Sequence, residues 1–314
     1  MIYCIGHSII SPLGEGTQAN VNAVQEGKSG LKVHSSRFAD VEPFCASLFD
    51  TPQAFVPLCI RSVELALNGL DASSEEVLFI LSTTKGDQLD LLTPAQTIAR
   101  HFGNPNPPII VSNACTSGVC AQITAKRLLE AGLYRYAVVV GCDLQTRFIV
   151  SGFQAFKALS PEPCKPFSPD RNGLNLGEAA ATIIYTSAPH EGWRLEAGSI
   201  HNDANHLSAP SRTGEGLFLC LQDILRETDP DSIDLLGVHG TATLYNDAME
   251  KIAIERAGLA NMPISALKPI FGHTMGAAGI LETILGMELL QRGTFIKMLS
   301  GFGGVNAAIR LRCE

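Results

Sequence analysis

Short apolar runs rich in Val and Ile alternate along this chain with stretches whose apolar residues return every third or fourth position. IYCIG precedes QANVNAVQEG, VLFILS precedes TPAQTIARHF, IIVSNA precedes CAQITAKRLLEAG, and YAVVVG follows that helical pattern. A second series begins after Trp193: RLEAGSI and then EGLFLCLQDILRE, IDLLGVHG and then YNDAMEKIAIERAG, a helix over 275–291, and a closing strand near AAIRLR. Apolar strands set between amphipathic helices predict an α/β protein with buried sheets. The two series divide the chain into α/β halves, 1–190 and 191–314, joined near SAPHEGW.

Gly and Pro fall between these elements. PEPCKPFSPDRNG, residues 161–173, is a long loop with four prolines, and long ordered loops in compact folds tend to shape binding sites. A plain surface excursion is the alternative. No short repeat or low-complexity segment interrupts the pattern.

With 314 residues and 46% apolar content, the chain can bury a large core. A net charge of −8, with no cationic run longer than Lys126-Arg127, speaks against nucleic-acid binding. The start, MIYCIGHSIISPLGEG, lacks a signal peptide's basic opening and apolar block, and no apolar stretch reaches the ~18 residues of a membrane span. The expectation is a cytoplasmic protein without a membrane span. Nine cysteines at irregular spacings, with no CxxC pair, signal neither a disulfide framework nor a zinc site. Most should be reduced and buried.

One cysteine stands apart. In VSNACTSGVCAQITAKRLLEAG, Cys115 lies where a strand stops and a helix begins. Unpaired N–H groups and the positive dipole end at such a junction favour the thiolate, although core filling also accounts for a cysteine there. In LLGVHGTATLYND, His239 ends an apolar run ahead of Gly240, Thr241 and Thr243; in SALKPIFGHTMGAAG, Lys268 and His273 precede a helix that opens with small residues. Each histidine alone reads as a structural group. Three strand-to-loop junctions carrying a nucleophile or a histidine beside Gly, Ser and Thr point instead to one site. LSGFGGVN adds Phe302 between glycines. EGKSG is not a phosphate-binding loop, because Asn22 stands where its first glycine belongs, and GxGxxG, HExxH and GxSxG are absent.

NACTSG, HGTAT, KPIFGHTMGAAG and GFGG, in that order, resemble the β-ketoacyl-acyl carrier protein synthases of the thiolase superfamily, the elongating kind. GHSIISPLGEGTQANVNAVQEGKSG, PFSPDRNGLNLGEAAATIIY and DANHLSAPSRTGEG extend the likeness over nearly the whole chain. The resemblance implies a five-layered αβαβα thiolase-like fold of two related halves. It also implies a decarboxylative Claisen condensation: an acyl group on Cys115 is joined to malonyl-acyl carrier protein, giving a β-ketoacyl-acyl carrier protein in fatty-acid, polyketide or aryl-polyene synthesis.

By the same resemblance, Cys115, His239, His273 and Lys268 are catalytic. The backbone N–H groups of Cys115 and Phe302 form the oxyanion hole, with Phe302 as a gate. Thr241 and Thr243 bind pantetheine, and Glu282 supports Lys268. No metal is implied, and no cofactor beyond the phosphopantetheine that the acyl carrier protein brings. The implied partners are that carrier and a second subunit, in a homodimer or a heterodimer with a related synthase chain. An acidic carrier needs a basic patch, for which Lys126, Arg127 and Arg147 are candidates. The chain is short for the family, most of the shortfall lying between STTKGDQLD and TPAQTIARHF, where the family builds its acyl pocket and dimer contact. The competing reading is a non-catalytic partner subunit of the chain-length-factor type; such partners typically lack the nucleophile, so Cys115 and the histidines argue for an enzyme.

Overall fold

The computed structural model describes residues 1–208, 210–226 and 228–314. Besides the two-residue strand Gly14–Glu15 paired on its first strand, the first half contributes five strands to the main sheet: β1 (Ile2–Ser11), β2 (Val77–Ser82), β3 (Ile109–Val111), β4 (Tyr136–Asp143) and β5 (Ala179–Thr186). The second contributes β6 (Arg194–Asn202), β7 (Leu235–Gly237), β8 (Ile264–Ser265), β9 (Gly293–Ser300) and β10 (Val305–Cys313). Within each half the first and last strands pair antiparallel, the fourth joins the last antiparallel, and the second and third follow in parallel. The halves therefore repeat one topology. They meet where Ile2 and Tyr3 of β1 pair with Leu195 and Arg194 of β6.

Helices α1 (Thr17–Gln25), α2 (Phe55–Ala66), α3 (Leu92–His101), α4 (Ser117–Glu130), α5 (Arg147–Ala155), α6 (Glu215–Leu225), α7 (Leu244–Arg256) and α8 (Ala278–Leu290) complete the layers. α4 and α8 lie between the two half-sheets, in a core that takes side chains from both. α2 and α3 cover the outer face of the first half, and α6 and α7 that of the second. This is the five-layered αβαβα arrangement of two related halves. A small sheet of Lys32–His34, Phe44–Ser47 and Leu176–Gly177 stands beside it. The described cysteines are all free, most of them buried. No described helix is long and apolar enough to cross a membrane.

The repeat extends to the central helices. Ala114–Thr116 is a tight 3₁₀ turn entering α4, and Met275–Ala277 is its counterpart entering α8; both open on a residue in the left-handed region, Ala114 at φ 48° and Met275 at φ 54°. The helices cross where Gly118 faces Gly279, and a Cβ built on Gly279 would lie 2.5 Å from the Val119 nitrogen. Backbone meets backbone here, so the crossing admits no side chain. Replacing Gly279 by alanine is expected to destabilise the protein by about 1–3 kcal/mol, the usual range for overpacking, and to loosen the turn that carries Cys115; chemical denaturation of the variant checks it.

Candidate active site

Three junctions deliver the reactive side chains to one place. Cys115 is the middle residue of the strained turn that ends β3 and starts α4, and it is buried. Non-glycine residues in the left-handed region cost of order 1–3 kcal/mol and persist where the surroundings hold them. His239 comes two residues after the end of β7. His273 follows the short helix Lys268–Phe271 and Gly272, whose φ of 66° and closeness to the Leu176 carbonyl only glycine tolerates. The small sheet fixes His273 from behind: its N–H donates to the Asn175 carbonyl at 2.7 Å, and its carbonyl accepts from Gly177 N–H at 3.0 Å.

The three side chains converge. His273 Nε2 lies 2.9 Å from Cys115 Sγ, and the His239 and His273 rings sit edge to face with centroids 5.4 Å apart. They form the floor of a cleft of about 340 Å³. Thr241 and Thr243 line its wall, their hydroxyls 3.0 Å apart. Phe302 stacks on Phe153 at 5.9 Å and meets Phe156 edge-on at 6.0 Å, which makes the rim aromatic. The loop 161–173 does not line the cleft, but backs it: buried Asp247 accepts N–H bonds from Phe167 in that loop and from Ala242 between the threonines.

Behind the histidines lies a charged network. Lys268 Nζ donates to the His239 carbonyl at 2.5 Å and to Glu282 Oε1 at 3.0 Å. The other carboxylate oxygen of Glu282 takes Lys297 Nζ at 2.5 Å. Glu250 accepts the His239 and Gly240 N–H groups at 2.5 and 2.8 Å. Lys297 and Glu250 were not singled out in the sequence. The signal for Lys297 was a lone lysine inside the apolar strand TFIKML, which needs a partner once buried.

Electrostatics reverse one expectation. Burial pushes the Cys115 thiol up to about 11; the Lys268 charge and the amides of Cys115 and Phe302 pull it down without overcoming burial. The helix terminus therefore does not hold a resting thiolate, because desolvation of the sulfur outweighs it. Both amides that act on the sulfur are those the resemblance assigns to an oxyanion hole. Burial and then the Lys268 charge push His239 well below its ordinary value and His273 to about 3. Both imidazoles are neutral at physiological pH and available as N–H donors.

Cys115, His239 and His273 place their ligand atoms within 4.8 Å of one another, a spacing a metal ion could bridge. The chemistry disfavours one. The thiol resists ionisation, Lys268 repels a cation, and neither buried Nδ1 has the partner that orients a metal-bound histidine. The three candidate basic residues lie outside the cleft lining. Lys126 lies in the last turns of α4, away from its Cys115 end, and pairs with Glu130 at 2.6 Å; Arg127 is its neighbour; Arg147 pairs with Asp40 at 3.3 Å. None lines the cleft, whereas Lys157 does. Sequence spacing could not say which end of α4 faces the opening.

The depressed His273 has a stability consequence. An unfolded histidine takes a proton near 6.5, the native one only near 3. Stability present above pH 6.5 is thus lost as pH falls toward 3, at up to roughly 1.4 kcal/mol per pH unit. Glu250, raised to about 7 chiefly by burial, acts oppositely between 4.5 and 7. Comparing variants isolates the histidine: relative to wild type, His273→Gln should gain stability between pH 6.5 and 4.5, as denaturant unfolding at each pH would show.

The family model for the β-ketoacyl synthase N-terminal domain matches residues 84–189, and that for the C-terminal domain matches 194–301. Nodulation protein E of Rhizobium leguminosarum bv. trifolii is 31% identical over 61% of this chain and 51% of its own length. The 3-oxoacyl-[acyl-carrier-protein] synthase 2 of Rhizobium meliloti (strain 1021) is 33% identical over 62% of this chain and 50% of its own. The chain thus spans about half the length of the curated relatives it matches. Among solved structures, a chain of the complex of the ketosynthase ApeO with its chain length factor ApeC from Xenorhabdus doucetiae shares the fold at a TM-score of 0.92 and 24% identity, the match covering 100% of this chain and 98% of that one. The two domain models together take in most of the chain, from both halves of the repeat and around all three junctions, and on that ground the chain belongs to the β-ketoacyl synthase family.

Proposed function

We propose that this protein is a condensing acyltransferase that uses carrier-bound thioesters. The observation that carries the reading is the floor of the cleft: Cys115 Sγ 2.9 Å from His273 Nε2, the His239 ring beside them, and the Cys115 and Phe302 amides acting on the same sulfur. In the first half-reaction the thiol adds to an acyl thioester; the carrier's thiol leaves with the proton, and the acyl group stays on Cys115. In the second, a malonyl thioester loses CO₂ and its enolate attacks the acyl carbonyl. Cys115 is expelled as the thiolate and takes up one proton from solvent, and the β-ketoacyl product is two carbons longer.

Phosphopantetheine enters as part of the substrate, along the wall that bears Thr241 and Thr243. An acyl carrier protein is the proposed partner, with Lys157 at the rim replacing the three basic residues considered above. A solved complex of an acyl-carrier protein with its ketosynthase, AntDE:AntF, has this fold at a TM-score of 0.90 and 19% identity. A second subunit, identical or related, is also proposed: β3 is the edge strand of the sheet, and an open edge invites pairing. The shortened segment is a tight turn of residues 83–91, where buried Asp143 takes the Thr83 and Thr84 hydroxyls at 2.9 Å.

Intact-protein mass spectrometry tests the proposal, with a panel of acyl-carrier thioesters followed by malonyl-carrier. An acyl adduct that is discharged as a product two carbons longer is the expected result. If no thioester adds mass, the partner-subunit reading of the chain-length-factor type replaces it.

A further inference from the structure

His239 stands where its strand has run out of neighbours. β7 pairs with β9 as far as Gly237 opposite Lys297, and with β8 as far as Gly237 opposite Ser265. The carbonyls of Gly237, Val238 and His239 then need donors that are not strands. Two buried ammonium groups supply them. Lys297 Nζ donates to Gly237 at 3.2 Å and Val238 at 2.9 Å, and Lys268 Nζ to His239 at 2.5 Å. Both ammoniums meet on Glu282, while Glu250 holds the amides of His239 and Gly240. The peptide that carries the imidazole is gripped on both sides.

A fully buried lysine in an apolar strand is costly unless it is paired and hydrogen-bonded. Lys297 meets that condition by pairing with Glu282 and by donating its remaining hydrogen bonds to the peptide next to His239. We infer that Lys297 is a positioning residue of the proposed site, fixing His239 through the Gly237 and Val238 carbonyls and through the carboxylate it shares with Lys268. This rests on the condensing reading. The charges around His239 come from every side: Lys297 on β9, Lys268 before Gly272, Glu282 on α8, Glu250 and Asp247 on α7, with His273 and Cys115 across the cleft. Lys297 is one of the cations that disfavour protonation of both histidines.

The test compares Lys297→Met, Lys297→Arg, Glu282→Gln and the double variant Lys297→Met/Glu282→Gln, measuring acyl loading and malonyl-carrier decarboxylation separately. Lys297→Met should lose about a hundredfold in decarboxylation, as a misplaced reacting group does, while Cys115 still loads at close to the wild-type rate. Lys297→Arg should recover part of the loss, and the double variant should lose little more than either single one. A folded Lys297→Met that decarboxylates at the wild-type rate overturns the inference. So does an equal loss of loading and decarboxylation, or a double variant whose losses multiply. If the wild type itself neither loads nor decarboxylates, the condensing reading falls on its own. The histidine ring-proton resonances then decide on Lys297 without substrate: Lys297→Met should titrate at higher pH than wild type, and an unchanged titration overturns the positioning role.

Discussion

Replacing Cys115 by alanine is expected to abolish the acyl adduct with every carrier thioester while leaving the protein folded and malonyl decarboxylation measurable. Among the described residues the thiol is the only sulfur on the cleft floor, and alanine removes one buried atom without changing the turn. With the thiol pushed up to about 11, only on the order of one molecule in ten thousand carries a thiolate at neutral pH. That scarcity costs less than it suggests. A thiolate of high pKa is intrinsically more nucleophilic, and loading is proton-neutral overall, because the thiol's proton departs with the carrier's thiol. In the proposed mechanism the Cys115 and Phe302 amides meet the developing oxyanion. Condensation, which needs the adduct, should vanish in Cys115→Ala; decarboxylation, assigned in the proposed mechanism to His239 and His273, should not. An adduct that persists in Cys115→Ala would place the nucleophile elsewhere and undo the proposed site.

The parts of this molecule legible in the sequence are those governed by local pattern. β1, β2, β4, α4, α6, α7 and α8 are long periodic runs, and each forms close to where its pattern lies. What escaped depends on distant partners. β9, the fourth strand of its half-sheet, holds Lys297 within GTFIKMLS, and a buried charge breaks the apolar run that marks such a strand. α2 carries Pro57 in its first turn, and the small sheet that braces His273 consists of strands of two to four residues. The short strands leave no periodic signal; α2 does repeat, burying Phe55, Leu58, Cys59, Ser62, Val63 and Ala66, but with the helix-breaking Pro57 inside the repeat. The site followed the same division. Cys115, His239 and His273 stand at strand-to-loop junctions, which sequence can reveal. The Glu250 carboxylate behind His239 is set by the packing of α7 within the second half, and the direction in which α4 points its basic turn by its packing between the half-sheets; no short window contains either.

His273→Ala and His239→Ala should each lower decarboxylation by about 10²–10³, the cost of removing one oxyanion donor, or roughly 2.7–4 kcal/mol. Loading should respond differently to the two. In the resting state, with the thiol pushed up and the imidazole pushed down, the favoured bond at 2.9 Å runs from the Cys115 thiol to His273 Nε2. Once Cys115 is acylated that proton is gone, and His273 can carry its own proton on Nε2 and donate into the cleft, where the malonyl enolate forms. In the proposed mechanism acylation thus switches His273 from acceptor to donor, so that the second half-reaction is armed only after the first. His273→Ala should accordingly slow both half-reactions, whereas His239→Ala, which leaves the bond between the thiol and His273 in place, should spare loading and lose decarboxylation. Single-turnover loading and CO₂ release, followed separately, read the two effects. Equal losses in both half-reactions for both variants would mean that the histidines only maintain the cleft.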